Sequence, residues 1–293
     1  MTSDPAESPP PAAPAAQSAA AGRDHQELDL GLLAGVTDRG LRHQRNEDAM
    51  ALATAPNERG PAALAVVCDG VSSSDRPDEA SLAASEAAMQ VLLSAVRADE
   101  DLLQASVLAV RAAGEAVAAM VGPSGEAPSA TYISAVLSGD TVILCWLGDS
   151  RAYWLAADPD QEARRLTTDD SVAAQLVLAG LMSEDEAMTA PQAHVVTRWL
   201  GGNNREAAPH VVRFKPPGTG VLLLCSDGLW NYLPHAAELA QLALPEALTS
   251  PLAAAQRLVQ FALDAGGTDN ITAVLAPFRI SGEPAVDAAS PLS

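Results

Sequence analysis

"ATYISAVLSGDTVILCWLGDSRAYWLA" (130–156) packs three short apolar runs, 130–137, 141–147 and 151–156, into one stretch. Their length and their content of Val, Ile and aromatic residues read as strands. "SGD" (138–140) between the first two reads as a hairpin turn. Working outward, "AALAVVC" (62–68), "GVLLLC" (220–225) and "NITAVLAPF" (270–278) are further runs of the same kind, and Ala49–Ala53 is a shorter one. Residues 78–98 and 100–121 are rich in Ala and Leu, lack internal Pro and carry acids near their starts, which predicts two consecutive helices. Segments 171–180 and 250–267 predict two more, each opening on Ser as N-cap and closing on Gly. Strands in runs and helices in pairs argue for a layered α+β domain rather than a βαβ parallel sheet.

Composition bounds the rest. Residues 1–26, dominated by Pro, Ala and Ser, and residues 281–293 have no apolar periodicity and are expected to be disordered, leaving one domain over 27–280. The net charge of −20 would repel a phosphate backbone, so no nucleic-acid partner is expected. The only lysine, Lys215, lies in no nucleotide-binding loop. No signal peptide and no apolar run long enough for a membrane span stand out. Cys68, Cys145 and Cys225 sit inside apolar runs, an odd number that reads as reduced, buried thiols in a cytoplasmic protein.

Chemistry concentrates where strands end. Glu47 and Asp48 stand side by side in "HQRNEDAM" (43–50), before an apolar stretch. Asp69 follows "LAVVC" and precedes Gly70, Asp149 follows "ILCWLG", Asp227 follows "LLLCS", and Asp269 enters "ITAVLA". Singly, each reads as well as a turn residue. Together they repeat one pattern, and converging carboxylates raise one another's pKa unless a cation joins them. Oxygen-only ligation suits Mg²⁺ or Mn²⁺. The five His are scattered and make no zinc spacing.

"GLRHQRNEDA" (40–49), "VVCDG" (66–70), "GDSRAYW" (148–154), "LTTDDS" (166–171), "VTRWLGG" (196–202), "CSDGLW" (225–230) and "GGTDNITAVL" (266–275) resemble, in this order, the motif series of the metal-dependent PP2C-type protein serine/threonine phosphatases, bacterial members in particular. The resemblance covers residues 31–277. It implies a four-layer αββα sandwich, two antiparallel sheets flanked by helix pairs, with a two-metal centre at one sheet edge. By position, Asp69 would bridge two Mn²⁺ or Mg²⁺ ions. Glu47 and the Gly70 carbonyl would serve one ion, and Asp227 and Asp269 the other. Asp48 would orient metal-held water, and Asp149 would belong to a third, accessory ion. The implied reaction is hydrolysis of phosphoserine and phosphothreonine in proteins by a metal-bound hydroxide. The partners would be phosphorylated substrates of Ser/Thr kinases, met by a monomer.

The pattern also departs from the family. His43 stands where the family commonly places a phosphate-binding Arg, so His43 or the neighbouring Arg45 is expected to contact the phosphate. Val71 stands where some members carry a His. Residues 183–196 fall at the family's flap, or form only a short acidic helix capped by Ser183. A catalytically weak or dead phosphoprotein-binding relative is the alternative function. "CWLGDSR" (145–151) also fits the C-x5-R spacing of Cys-based phosphatases, which would need an exposed thiolate.

Overall fold

The computed structural model describes residues 23–121, 125, 127–190, 195–202 and 208–279. In chain order, β1 (His25–Asp29) and β2 (Ala34–Asp38) form a first hairpin, and β3 (Asp48–Asn57) and β4 (Gly60–Asp69) a second. Helices α1 (Pro77–Arg97) and α2 (Leu102–Ala118) follow. Next come β5 (Ser129–Ala130), β6 (Tyr132–Ser138), β7 (Thr141–Leu147), β8 (Arg151–Ala156) and β9 (Arg164–Arg165). Two short helices, α3 (Val172–Leu178) and α4 (Glu184–Thr189), lead to β10 (Leu200–Gly201), β11 (His210–Phe214) and β12 (Gly220–Cys225). The series closes with α5 (Asp227–Trp230), α6 (Ala236–Ala247), α7 (Pro251–Asp264) and β13 (Ile271–Phe278).

The strands build a five-stranded sheet, β11-β7-β6-β4-β3, and a six-stranded sheet, β1-β2-β13-β12-β8-β9, antiparallel throughout. The "SGD" turn is a hairpin as expected: Ser138 pairs with Thr141, and Gly139 takes φ +61°. The third run of that stretch does something else. At Gly148, φ +111°, the chain leaves the five-stranded sheet, and β8 joins the six-stranded one. The turn 148–150 is therefore a seam between sheets, and Asp149 lies on it.

Strands bury both faces because three apolar layers alternate with the four structural ones. Leu64 and Val66 on β4 face Met89, Leu92 and Val110 of α1 and α2, while Ala63, Ala65 and Val67 face the other sheet. Trp154, Leu144 and Leu222 fill the space between sheets. Leu223 and Leu275 pack under Leu239 of α6 and Leu258 of α7. Each such Leu or Val stabilises the fold by about 1.5–3 kcal/mol. Helix α1 begins on Pro77 with Asp78 and Glu79 in its first turn and ends on Arg97, in keeping with the helix dipole. Its Ala80, Ala84 and Ala88 share a core cluster with Ala109 and Ala113 of α2, small residues that let the pair approach closely.

Two boundaries differ from the sequence expectation, and one helix, α6, was not anticipated. Ser250 makes no capping bond, since Pro251 already supplies the helical start, and α7 ends at Asp264. Helix α6 forms despite Pro245, because its buried face, Leu239, Ala240, Ala243 and Ala247, anchors it. The fold also begins before Glu27: His25 and Gln26 pair with Asp38 and Thr37, and Arg23 reaches Asp78 at 3.4 Å. Residues 1–22 and 280–293 lie outside the described residues. A chain starting at Arg23 is expected to melt like the full chain. One starting at Glu27 should lose about 1–2 kcal/mol, or about 2–8 °C in Tm at this size. Equal melting of the two truncations would return the boundary to Glu27. Among the described residues no helix is long and apolar enough to cross a membrane.

Candidate functional site

Antiparallel order brings one end of both sheets to a common rim. Asp48 opens β3 and Asp69 closes β4, directly paired across the ladder. Asp149 lies on the seam after β7, Asp227 begins α5 with only Ser226 between it and β12, and Asp269 stands two residues before β13. The field of each carboxylate reaches others: Asp48, Asp227, Asp269 and Asp149 all push the Asp69 carboxyl upward. Glu47 is buried at the same rim, accepts a hydrogen bond from the Ser72 hydroxyl, and offers its carbonyl to the Gly70 amide at 3.1 Å. Gly70 has no room for a side chain. A Cβ there would stand 2.3 Å from the Pro77 carbonyl oxygen, because the chain turns sharply at Arg76, φ +48°.

Asp48 is held from one side only. Its Oδ2 accepts from the Ser226 hydroxyl at 2.7 Å and the Thr272 hydroxyl at 2.6 Å. Its Oδ1 is buried with no hydrogen-bond partner. Thr272 is in turn 2.7 Å from Thr37, which accepts from Asn46. Asn270 ties the rim together: its Oδ1 accepts from the Glu47 amide at 2.8 Å, and its Nδ2 donates to the carbonyls of Arg39 and Arg45 at 2.8 and 3.1 Å. Ser72, Asn270, Ser226 and Thr272 were not singled out from sequence. For Asn270, Ser226 and Thr272 the signal was present as polar residues inside or flanking buried strands, where an unsatisfied hydroxyl or amide is costly, whereas exposed Ser72 carried none.

The two cationic candidates part company. His43 lies among the carboxylates, with Nε2 3.1 Å from Asp269 Oδ1 and Nδ1 3.9 Å from Glu47 Oε2. Arg45 turns to Asp78 Oδ1 at 3.0 Å, on the first turn of α1, with its side chain 57% exposed. Ser183 caps α4 through a full capping box with Glu186, so the helix expected there exists. Residues 191–194 of the segment expected as a flap lie outside the described residues.

Beside Asp149, Arg151 is buried and bound in a fork by Asp169, with Nη2 to Oδ2 at 2.7 Å and Nε to Oδ1 at 3.0 Å. Its guanidinium stacks 3.6 Å over the Trp230 ring, whose N–H donates to the Asp149 carbonyl at 2.9 Å. This removes the C-x5-R alternative. Arg151 is occupied in the six-stranded sheet, while Cys145 is buried in the five-stranded sheet, its thiol pushed up to about 12 by burial.

Burial, above all, raises the rim acids: Asp48 and Asp149 to about 7, Asp69 and Asp227 well above the usual range. Next in effect come the neighbouring carboxylates for Asp69 (Asp48), Asp227 (Asp149) and Asp149 (Asp169), while for Asp48 the Thr272 and Ser226 hydroxyls pull the other way. Such a set fits a divalent cation: the donors are all oxygen, one carboxylate oxygen is buried without a partner, and Gly70 admits close approach of backbone. Among the described residues no three acidic, His or Cys side chains stand grouped closely enough to hold an ion by themselves.

These shifts set a pH dependence. Between about pH 4 and pH 7 the native chain keeps protons that the unfolded chain releases, so the stability they supply is present below about pH 4 and lost as pH rises to about 7. In EDTA, Asp48→Asn is expected to lose less stability than the wild type over that rise, by about 1–3 kcal/mol. Denaturant titrations at several pH values would measure it, and parallel curves would remove the account.

The comparisons agree with this geometry. Residues 39–262 match the family model for protein phosphatase 2C. The serine/threonine protein phosphatase PstP of Mycobacterium tuberculosis is 33% identical over 251 residues, 83% of this chain and 44% of PstP. The chain spans about half the length of the curated relatives it matches. The catalytic domain of PstP, solved with two manganese ions, superposes with a TM-score of 0.68 at 29% identity, covering 85% of this chain and 98% of that one. Stp1 of Staphylococcus aureus gives 0.71 at 26% identity, with 87% and 98% covered. A rim of carboxylates drawn from both sheets, the antiparallel αββα order and a family match over most of the domain lead to one assignment: this chain belongs to the protein phosphatase 2C family.

Proposed function

We propose that this chain hydrolyses phosphoserine and phosphothreonine in proteins with Mn²⁺ or Mg²⁺. The observation that carries the proposal is the rim itself: Glu47, Asp48, Asp69, Asp149, Asp227 and Asp269 meet at one end of the sandwich, and Asp69 feels four of the others. Asp69, Glu47 and the Gly70 carbonyl, with Asp227 and Asp269, are the groups that would hold the ions, and Asp149 would hold an accessory one. The bound ions would activate water at neutral pH and neutralise charge on the phosphoryl oxygens.

The remaining work falls to the chain. Asp48 has Oδ2 saturated by Ser226 and Thr272, so Oδ1 is the atom left to accept a proton from the attacking water and fix its direction. His43, between Glu47 and Asp269, offers a ring N–H to the phosphoryl group or to the departing seryl oxygen. Asn270 keeps the 39–47 loop, and with it His43 and Glu47, in register with β13. The three free, buried cysteines support a reducing, cytoplasmic setting.

The test is hydrolysis of a chromogenic aryl phosphate with Mn²⁺, with Mg²⁺ and with EDTA, for wild type and Cys145→Ser. Turnover should need a metal, disappear in EDTA and survive the substitution. No turnover with either ion, or turnover that persists in EDTA and falls with Cys145→Ser, would reject the proposal.

A further inference from the structure

Arg23 and Arg45 converge on one carboxylate at the edge of the site. Arg45 Nη1 lies 3.0 Å from Asp78 Oδ1, and Arg23 Nη1 lies 3.4 Å from Asp78 Oδ2. Asp78 is largely covered, 16% exposed, while the arginines are 57% and 35% exposed. Two cations on one anion leave a net positive unit on a chain of net charge −20. A guanidinium carries five N–H donors in a planar fork, and the recorded side-chain contact of each arginine uses one of them.

The location matters as much as the charge. Arg45 is two residues from Glu47, so their Cα atoms lie within about 7 Å. The Arg45 carbonyl is pinned by Asn270, which fixes where the side chain departs. Arg23, Asp48 and Asp78 line one small cleft with Gln26 and Leu82, between β1, the edge strand β3 and α1. The unit is therefore beside the carboxylate rim and contacts the first turn of α1, while His43 contacts Asp269 and Glu47. A phosphoryl group at the rim would meet His43. An anionic group one or two residues along an extended peptide, about 3.3 Å per residue, would meet the arginine pair.

We infer that Arg23 and Arg45, positioned by Asp78, form a docking clamp for an acidic or second phosphorylated residue flanking the phosphoresidue of the substrate. The inference rests on the phosphatase reading. A bare surface ion pair from Arg23 or Arg45 to α1 would contribute about 0–1 kcal/mol and select nothing. The clamp instead selects, because a phosphate or carboxylate can take the outward donors of both forks.

The experiment compares kcat/KM on two phosphopeptides that differ only in having Glu or Ala on either side of the phosphoserine, with the aryl phosphate run alongside. Wild type should prefer the acidic peptide by about tenfold, carried mainly in KM and weakened by salt. Arg23→Ala and Arg45→Ala should each cut that preference several-fold, the double variant should abolish it, and Arg45→Lys should keep part of it. Because the preference is a ratio on one preparation, loss of folded protein cancels from it. A wild type without preference, or variants that keep it, would overturn the clamp while aryl phosphate turnover left the phosphatase reading standing. Absence of turnover on all three substrates would overturn both together.

Discussion

Asp69→Ala is expected to hydrolyse an aryl phosphate at least about a thousandfold more slowly than wild type in saturating Mn²⁺. The reason is its place in the fold. Asp69 ends β4 opposite Asp48, and its carboxyl responds to Asp48, Asp227, Asp269 and Asp149 at once. A group shared between two ion positions supports both attack and charge neutralisation, and a thousandfold corresponds to about 4 kcal/mol of transition-state stabilisation. Stability should move the other way. Without metal, Asp69 is a buried acid crowded by like charge, so Asp69→Ala should melt higher than wild type in EDTA near pH 8. The rise in Tm that Mn²⁺ gives the wild type should shrink in the variant. Wild-type turnover by Asp69→Ala would sink the assignment of the rim as a metal centre.

Asp169→Ala should lower stability by about 3–5 kcal/mol. Arg151 is 1% exposed and its partner carboxylate 8%, so the pair is sealed from water on the Trp230 face. Removing the carboxylate leaves a guanidinium that cannot shed its charge and cannot reach solvent. The double substitution Asp169→Leu with Arg151→Met should lose much less, because it removes the charge along with its partner. Chemical denaturation of the three proteins decides this, and a single variant as stable as the double would contradict it. Asp149 should feel the same change, since Trp230 holds its carbonyl and Arg151 holds Trp230.

The layered α+β class was legible because strand runs and helix pairs differ in length and periodicity, and α1, α2, β4, β6, β7, β8, β12 and β13 all form where those signals lie. The carboxylates were legible because each leaves an apolar run, a local feature of sequence. What could not be read was partnership between distant segments. Nothing local says that 141–147 and 151–156 enter different sheets, that Arg45 faces Asp78, or that Arg151 belongs to Asp169 rather than Asp149. Strand β1 was hidden for another reason: it is a half-exposed edge strand reading HQELD, with little apolar content to signal it. Asn270 was passed over as the neighbour of an acid, although its side chain holds three backbone groups.

That asparagine has a bearing on how the protein comes to life on the ribosome. Its bond to the Glu47 amide spans 223 residues, and Asp269 and β13 arrive with it. Strand β13 slots between β2 and β12, so until it is synthesised both stand as open sheet edges that invite pairing with other chains. A nascent or prematurely terminated chain ending before Asp269 thus lacks that rim carboxylate and its Asn270 tie to Glu47, and carries two adhesive borders. Until residues 271–278 are made, that unfinished sheet needs shielding from other chains.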